Sequence, residues 1–211
     1  MSERYGFGEN WASFIDAHFS GDRRAVAKQR LLDFLHRQDL QNLSFMDIGS
    51  GSGLHSMAAY DAGATRIHSF DYDEMSVRTT ARLKELAGSP SNWTVEKGDV
   101  LNVNYLESLG LWDVVYSWGV LHHTGAMWTA INNAASRVAP NGLFFVALYS
   151  SNVASPSTGF WLDVKKRYNR ASAVGKRRIE LWYLWRFGLD RNPLRLPRLL
   201  KQINDKKSSV A

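Results

Sequence analysis

The chain contains no cysteine in 211 residues, so disulfides and thiolate metal sites are excluded, and a reducing compartment suits it. It has no run of about 18 consecutive apolar residues, which leaves no stretch able to cross a bilayer as a helix. The opening MSERYGFGEN shows no basic segment followed by an apolar one, so no leader is expected. From these absences we expect a cytoplasmic, globular protein. With 45% apolar residues, the chain can bury one real core and carry an appendage.

Acidic residues are scarce in one region only. Residues 151–211 hold 14 Lys/Arg and 4 Asp/Glu, whereas residues 1–150 hold 12 and 16, so the net charge of +6 is an acidic body joined to a basic tail.

What is present is an alternation of periods. Residues 22–36 read as a helix, with Ala27, Leu31, Phe34 and Leu35 at helical spacing. The apolar Phe45, Met46 and Ile48 follow, then a glycine turn, a helix over 53–62 and a strand from Arg66 to Phe70. A helix over Asp73–Ala87, a strand over 93–97, a short helix near 104–109 and the apolar strand Trp112–Ser117 come next. A helix over 125–138 and a strand opened by Gly142 complete the series. Strands alternating with helices of this length predict an α/β protein with a doubly wound, mostly parallel sheet. After Tyr149 comes a loop by composition, then helical patterns near 159–170 and 174–187. We therefore expect a domain over 1–150 and a basic, aromatic, helical extension over 151–211 packed on it.

In such a sheet, ligands sit beyond the carboxyl ends of the strands. The first turn there is FMDIGSGSGLHS, residues 45–56, where Gly49, Gly51 and Gly53 allow positive φ and let a ligand approach the backbone. A dinucleotide fingerprint, G-x-G-x-x-G, would need glycine at position 54, which is Leu54. The spacing D-x-G-x-G-x-G instead resembles the first motif of class I S-adenosylmethionine (SAM)-dependent methyltransferases. The resemblance implies that Asp47 anchors the site and that Gly49, Ser50, Gly51 and Gly53 pass beside the amino-acid end of SAM.

Further residues fall where that family has its later motifs. Asp71 closes the second strand and would accept both ribose hydroxyls, with Tyr72 against the adenine. Asp73 reads as a helix cap. In Lys97-Gly98-Asp99-Val100, Asp99 would accept from the adenine amino group and Val100 would cover the ring. WDVVYSWGVLHHT, residues 112–124, delivers Ser117 and Trp118 to the ligand edge, with His122 and His123 behind them. Residues 42–150 are similar to bacterial small-molecule methyltransferases of the quinone-biosynthesis type. The implied reaction is in-line transfer of a methyl group from SAM to a small or lipidic acceptor, without a metal. His122 and His123 are the candidate bases, since imidazole titrates near neutrality.

Other readings stay open. A SAM-binding regulatory or truncated relative without independent activity would carry the same motifs. After strand four, Tyr116-Ser117-Trp118-Gly119 lacks the prolines of Asn-Pro-Pro-Tyr, which turns the expectation away from amino groups of nucleic acid. Trp11 and Phe14, in FGENWASF, suit ordinary packing or a cover over the pocket. In the tail, Trp161, Trp182, Tyr183, Trp185 and Phe187 interleave with Lys165, Lys166, Arg167, Lys176, Arg177 and Arg178. That pattern suits a helical lid, a peripheral membrane contact or an RNA contact. The family's sixth and seventh strands are not evident, because Pro193 and Pro197 argue against a central strand. A shortened sheet would expose the edge of strand five to an oligomer or partner.

Overall fold

The computed structural model describes residue 15, residues 20–149 and residues 156–197. The aromatic stretch with Trp11 and Phe14, and most of the loop after Tyr149, lie outside the described residues. The chain forms two compact units, Met1–Tyr149 and Ser150–Ala211, each described on its own.

The first unit opens with helix α1, Gly21–Leu35, started by Ser20, whose hydroxyl accepts from the Arg23 N–H. It ends where His36 turns left-handed at φ 51° and returns its N–H to the Asp33 and Leu32 carbonyls. Five strands follow: β1 Ser44–Ile48, β2 Arg66–Asp71, β3 Trp93–Lys97, β4 Trp112–Trp118 and β5 Val138–Ala147. The helices between them are α2 Leu54–Asp61, α3 Glu74–Leu86, α4 Val103–Ser108 and α5 Met127–Ala135. All the pairings are parallel and the order is β3-β2-β1-β4-β5.

Side chains alternate across this sheet. Phe45, Ile67, Val114 and Tyr116 point into one apolar layer with Leu31, Leu35, Met57 and Leu83 from the helices α1 to α3. Met46, Ile48, Phe70 and Val115 point into the other, against Leu106, Leu121, Ala130 and Ala134. A fully buried side chain of this size contributes about 1.5–3 kcal/mol, so two filled layers hold the sheet from both faces. β1 is buried along its whole length, as a central parallel strand must be.

Asp73 caps α3, as its sequence position suggests, accepting from the Met75 N–H. Two boundaries differ from the sequence reading. α5 stops at Ala135, because Val138 already pairs with Trp112. β5 therefore starts before Gly142, and Pro140 sits inside it. A proline is tolerated there because β5 is an edge strand with a bulge opposite Trp112 and Val114.

Among the described residues no sixth or seventh strand occurs. The second unit is helical: α6 Thr158–Arg170, α7 Ala173–Tyr183, a π-turn over Leu184–Gly188 and a 3₁₀ turn over Pro193–Arg195. No helix of the described residues is long and apolar enough to cross a membrane.

Candidate cofactor and acceptor site

The strand order reverses between β1 and β4, and the turns after the strands diverge there to leave a cleft of about 290 Å³. Its walls come from the Gly49–Ser52 turn, from Phe70 to Asp73, from Gly98 to Val100 and from Trp118 to Val120. His55, Ser76, His123, Thr124 and Tyr149 complete it.

The glycine turn is fastened before any ligand arrives. The N–H groups of Gly49 and Ser50 both donate to the Phe70 carbonyl. Ser50 Oγ and Thr80 Oγ1 of α3 lie 2.9 Å apart, and Thr80 also donates to the Gly51 carbonyl. Gly49 has φ +75° and Gly53 φ +79°, but neither is bare for a ligand's sake. A Cβ on Gly49 would meet Val120 at 2.4 Å, and one on Gly53 would meet the Thr80 backbone at 2.8 Å. Gly53 lies behind the cleft wall, pressed on α3.

Asp71 links two walls. Its Oδ2 accepts from Gly51 N–H and its Oδ1 from Asp73 N–H, both at 2.9 Å. Each oxygen keeps a further lone pair for a ligand hydroxyl. Burial raises its pKa above the usual carboxylate value, against the backbone N–H groups of Asp73, Gly51 and Tyr72, which lower it. Asp99 holds the next turn by accepting from Leu101 N–H at 2.9 Å. Tyr72, Asp99 and Val100 all line the cleft.

Asp47 forms the floor. It is buried, and desolvation pushes its carboxyl up to about 7 although the Ser56 hydroxyl donates to it. Behind Ser56, Ser69 donates to Ser56 at 2.7 Å and the Trp93 indole donates to Ser69 at 2.8 Å. His55, on the first turn of α2, faces the cleft with its ring 5.0 Å from Tyr116 and 5.9 Å from Trp118. Burial lowers its pKa to about 4, so it is neutral at physiological pH.

At the opening, Trp118 is 39% and Tyr149 68% exposed. Trp118 is stacked on Phe34 and Phe145, which holds the indole in one plane. His123 lines the cleft and burial lowers its pKa, which keeps it neutral at neutral pH. His122 does not line the cleft: its ring packs 3.9 Å from His123 and 4.7 Å from Tyr149, and both its nitrogens are buried without a hydrogen bond among the described residues. Burial, then the charge of His123, lowers its pKa too. Ser117 is also away from the cleft, its buried hydroxyl donating to the Ile48 carbonyl at 3.0 Å.

Among the described residues the lining holds Asp47, Asp71, Asp73 and Asp99 and no Lys or Arg. A pyrophosphate would meet carboxylates there without a counter-charge, whereas a sulfonium with an amino group would be welcomed. The cleft therefore fits SAM and opposes a dinucleotide.

A family model described as a methyltransferase domain matches residues 19–205. The chain is a class I SAM-dependent methyltransferase. Among solved structures, the methyltransferase resembles an S-adenosyl-L-methionine-dependent methyltransferase, so assigned, from Methanococcus maripaludis. The TM-score is 0.55 at 15% identity, covering 96% of this chain and 88% of that one. It also resembles a chain in the complex of the Haloferax volcanii Trm112 methyltransferase activator with its methyltransferase. There the TM-score is 0.52 at 18% identity, covering 69% and 59% of the two chains. At these identities the likeness is one of fold. The tRNA U34 carboxymethyltransferase of Idiomarina loihiensis is 26% identical over 130 residues, 61% of the methyltransferase but 38% of the relative. The chain thus spans well under half the length of that relative.

His55, Ser76, Thr124 and Tyr149 line the cleft beyond the residues that the motifs of the sequence single out. His55 carried a signal, a polar ring two residues past the last glycine, on the turn of helix that faces the strand ends. Tyr149 carried none, because its place depends on where β5 ends.

Proposed function

We propose that the methyltransferase moves the methyl group of SAM to a hydroxyl or activated ring carbon of a small or lipidic acceptor, with His123 as the base. The observation that carries this reading is the opening of the cleft, where an imidazole kept neutral by burial lines the wall together with Trp118, Thr124 and Tyr149.

When bound, SAM supplies an electrophilic methyl and its own leaving group. The chain's part is to hold and align. Asp71 accepts the ribose hydroxyls, Asp99 the adenine amino group, and Phe70 and Val100 flank the ring. Tyr72 lies at the outer side of the adenine end. The Gly49–Gly51 turn and Asp47 meet the amino-acid end. Trp118 offers a fixed plane to an apolar acceptor, and His123 takes the acceptor's proton as the bond to carbon forms. His122 packs on His123 and keeps its ring in place; it is a positioning residue.

A second reading, an RNA acceptor, draws on the basic tail and on the tRNA-modifying relative. The four aspartates of the cleft count against a phosphate-rich acceptor entering it. A partner also belongs to the reading, since the outer edge of β5 carries no further strand among the described residues and the haloarchaeal fold relative occurs with an activator.

Incubation of the protein with methyl-labelled SAM in a cell extract tests the acceptor class. Label should enter the small-molecule or lipid fraction, and label in RNA would overturn the reading. His123→Gln should lower the rate by about 10²–10⁴ at unchanged SAM affinity, while His122→Gln should do much less. Activity should persist somewhat below pH 6.5, the ordinary imidazole value, and then fall as His123 takes up a proton.

A further inference from the structure

The second unit has a hollow of its own. Ser157 caps α6 by accepting from Phe160 N–H, and Ser172 caps α7 by accepting from Gly175 N–H, so a short Ala171–Ser172 link turns the chain. The helices run antiparallel, since Phe160 and Trp161 near the start of α6 meet Trp182 and Tyr183 at the end of α7, at 6.1 and 5.8 Å. Tyr168 fastens the pair by donating to Glu180 at 2.7 Å. Between them lies a hollow of about 330 Å³ lined by Phe160, Val164, Arg167, Arg178, Ile179 and Trp182.

Four of those residues are apolar and two are arginines that make no ion pair, hydrogen bond or ring contact among the described residues. Four of the other eight cations in residues 156–197 are engaged: Arg177 with Glu180, Arg195 with Asp190, Lys176 over Tyr168 and Arg186 over Phe187. Residues 156–197 hold ten Lys/Arg and three Asp/Glu, and two of those acids are already paired. Two guanidiniums facing an apolar floor, in a positive field, match an anion that carries hydrocarbon.

We propose that this hollow is a headgroup site for an anionic lipid of a bilayer surface, with Arg167 and Arg178 on the phosphate and Phe160 and Trp182 against the upper acyl chain. The surroundings favour a bilayer over RNA. Leu162, Leu181, Leu184 and Leu194 are exposed in the same unit, as are Tyr183 and Trp185. Aliphatic side chains neither stack on bases nor bind phosphates, but they bury readily at acyl depth, with tryptophan and tyrosine at the interface. The proposal goes beyond the methyl acceptor and stands whatever that acceptor is.

The test is co-sedimentation of the full chain with large vesicles of phosphatidylcholine, alone or mixed with phosphatidylglycerol. Binding should require the anionic lipid. R167Q/R178Q should lower the partition coefficient about thirtyfold, and K165Q/K166Q only a few-fold. R167K/R178K keeps charge and helix but loses the fork, and should fall between wild type and the glutamine pair. SAM affinity, measured by calorimetry on each variant, should be unchanged, which separates a failure of this site from a failure of the cofactor cleft. Equal losses from the two glutamine pairs would overturn the proposal in favour of diffuse charge. Polyuridylate that strips the protein from vesicles and binds more tightly than they do would overturn it in favour of RNA.

Discussion

Gly49→Ala asks whether the first glycine of the turn makes room for a ligand or for the chain itself. The added Cβ would stand 2.4 and 2.5 Å from the two γ-carbons of Val120 and 2.9 Å from its Cβ, on a backbone at φ +75°. A left-handed alanine costs about 1–2 kcal/mol. Forcing a carbon into a packed site costs about 1–3 kcal/mol more, so a total loss of about 2–5 kcal/mol is expected. Val120→Ala removes the two closest carbons and leaves one contact, to its Cβ at 2.9 Å, which a shift of about half an ångström would relieve. In the double variant the packing loss should return while the backbone loss persists. Urea unfolding of the four proteins without cofactor should therefore give a coupling energy of about 1–3 kcal/mol. Additivity within about 0.5 kcal/mol would refute the reasoning, and Gly49 would then be there for the ligand after all.

Burial holds Asp47 up to about 7, against 3.8 for an ordinary aspartate, so the folded chain keeps a proton that the unfolded chain releases. Stability is then greatest below the unfolded value and falls as pH rises through the folded one, by roughly 4 kcal/mol at most. Asp47→Asn should flatten the unfolding free energy across that window, and an unchanged slope would assign the titration elsewhere. Asp71→Ala should weaken SAM by about a hundredfold or more, from two charge-assisted hydrogen bonds; calorimetry showing retained affinity would remove Asp71 from the site. Ser117→Ala should cost about 1 kcal/mol of stability through the orphaned Ile48 carbonyl, leaving SAM affinity within twofold or so.

From β1 to β4 the fold could be read from residues because each signal was local. An apolar run, a glycine or aspartate and an amphipathic stretch each state their own conformation. The errors arose where a distant partner decides. Val138 reads as the last apolar position of a helix until Trp112, 26 residues earlier, claims it for β5. Gly49 and Gly53 look alike as ligand-facing glycines, but the atoms that forbid a side chain there belong to Val120 and Thr80. The end of β4 puts Ser117 near the ligand in the sequence, whereas the period of two turns its hydroxyl to Ile48. In the paired histidines the sequence offers two equal imidazoles, and only the 3₁₀ turn over Leu121–His123 gives one the cleft and the other the packing.

The hydrogen bonds under the floor of the cleft have a sense of direction. Indole can only donate, so Ser69 accepts from Trp93, and with Ser69 donating to Ser56 and Ser56 to Asp47 Oδ2 the three donors all run toward the acid. In that arrangement Oδ2 is an acceptor, and a proton on Asp47 sits on Oδ1. A tryptophan on the outermost strand thus reaches, through two serines, the acid of the cleft two strands away.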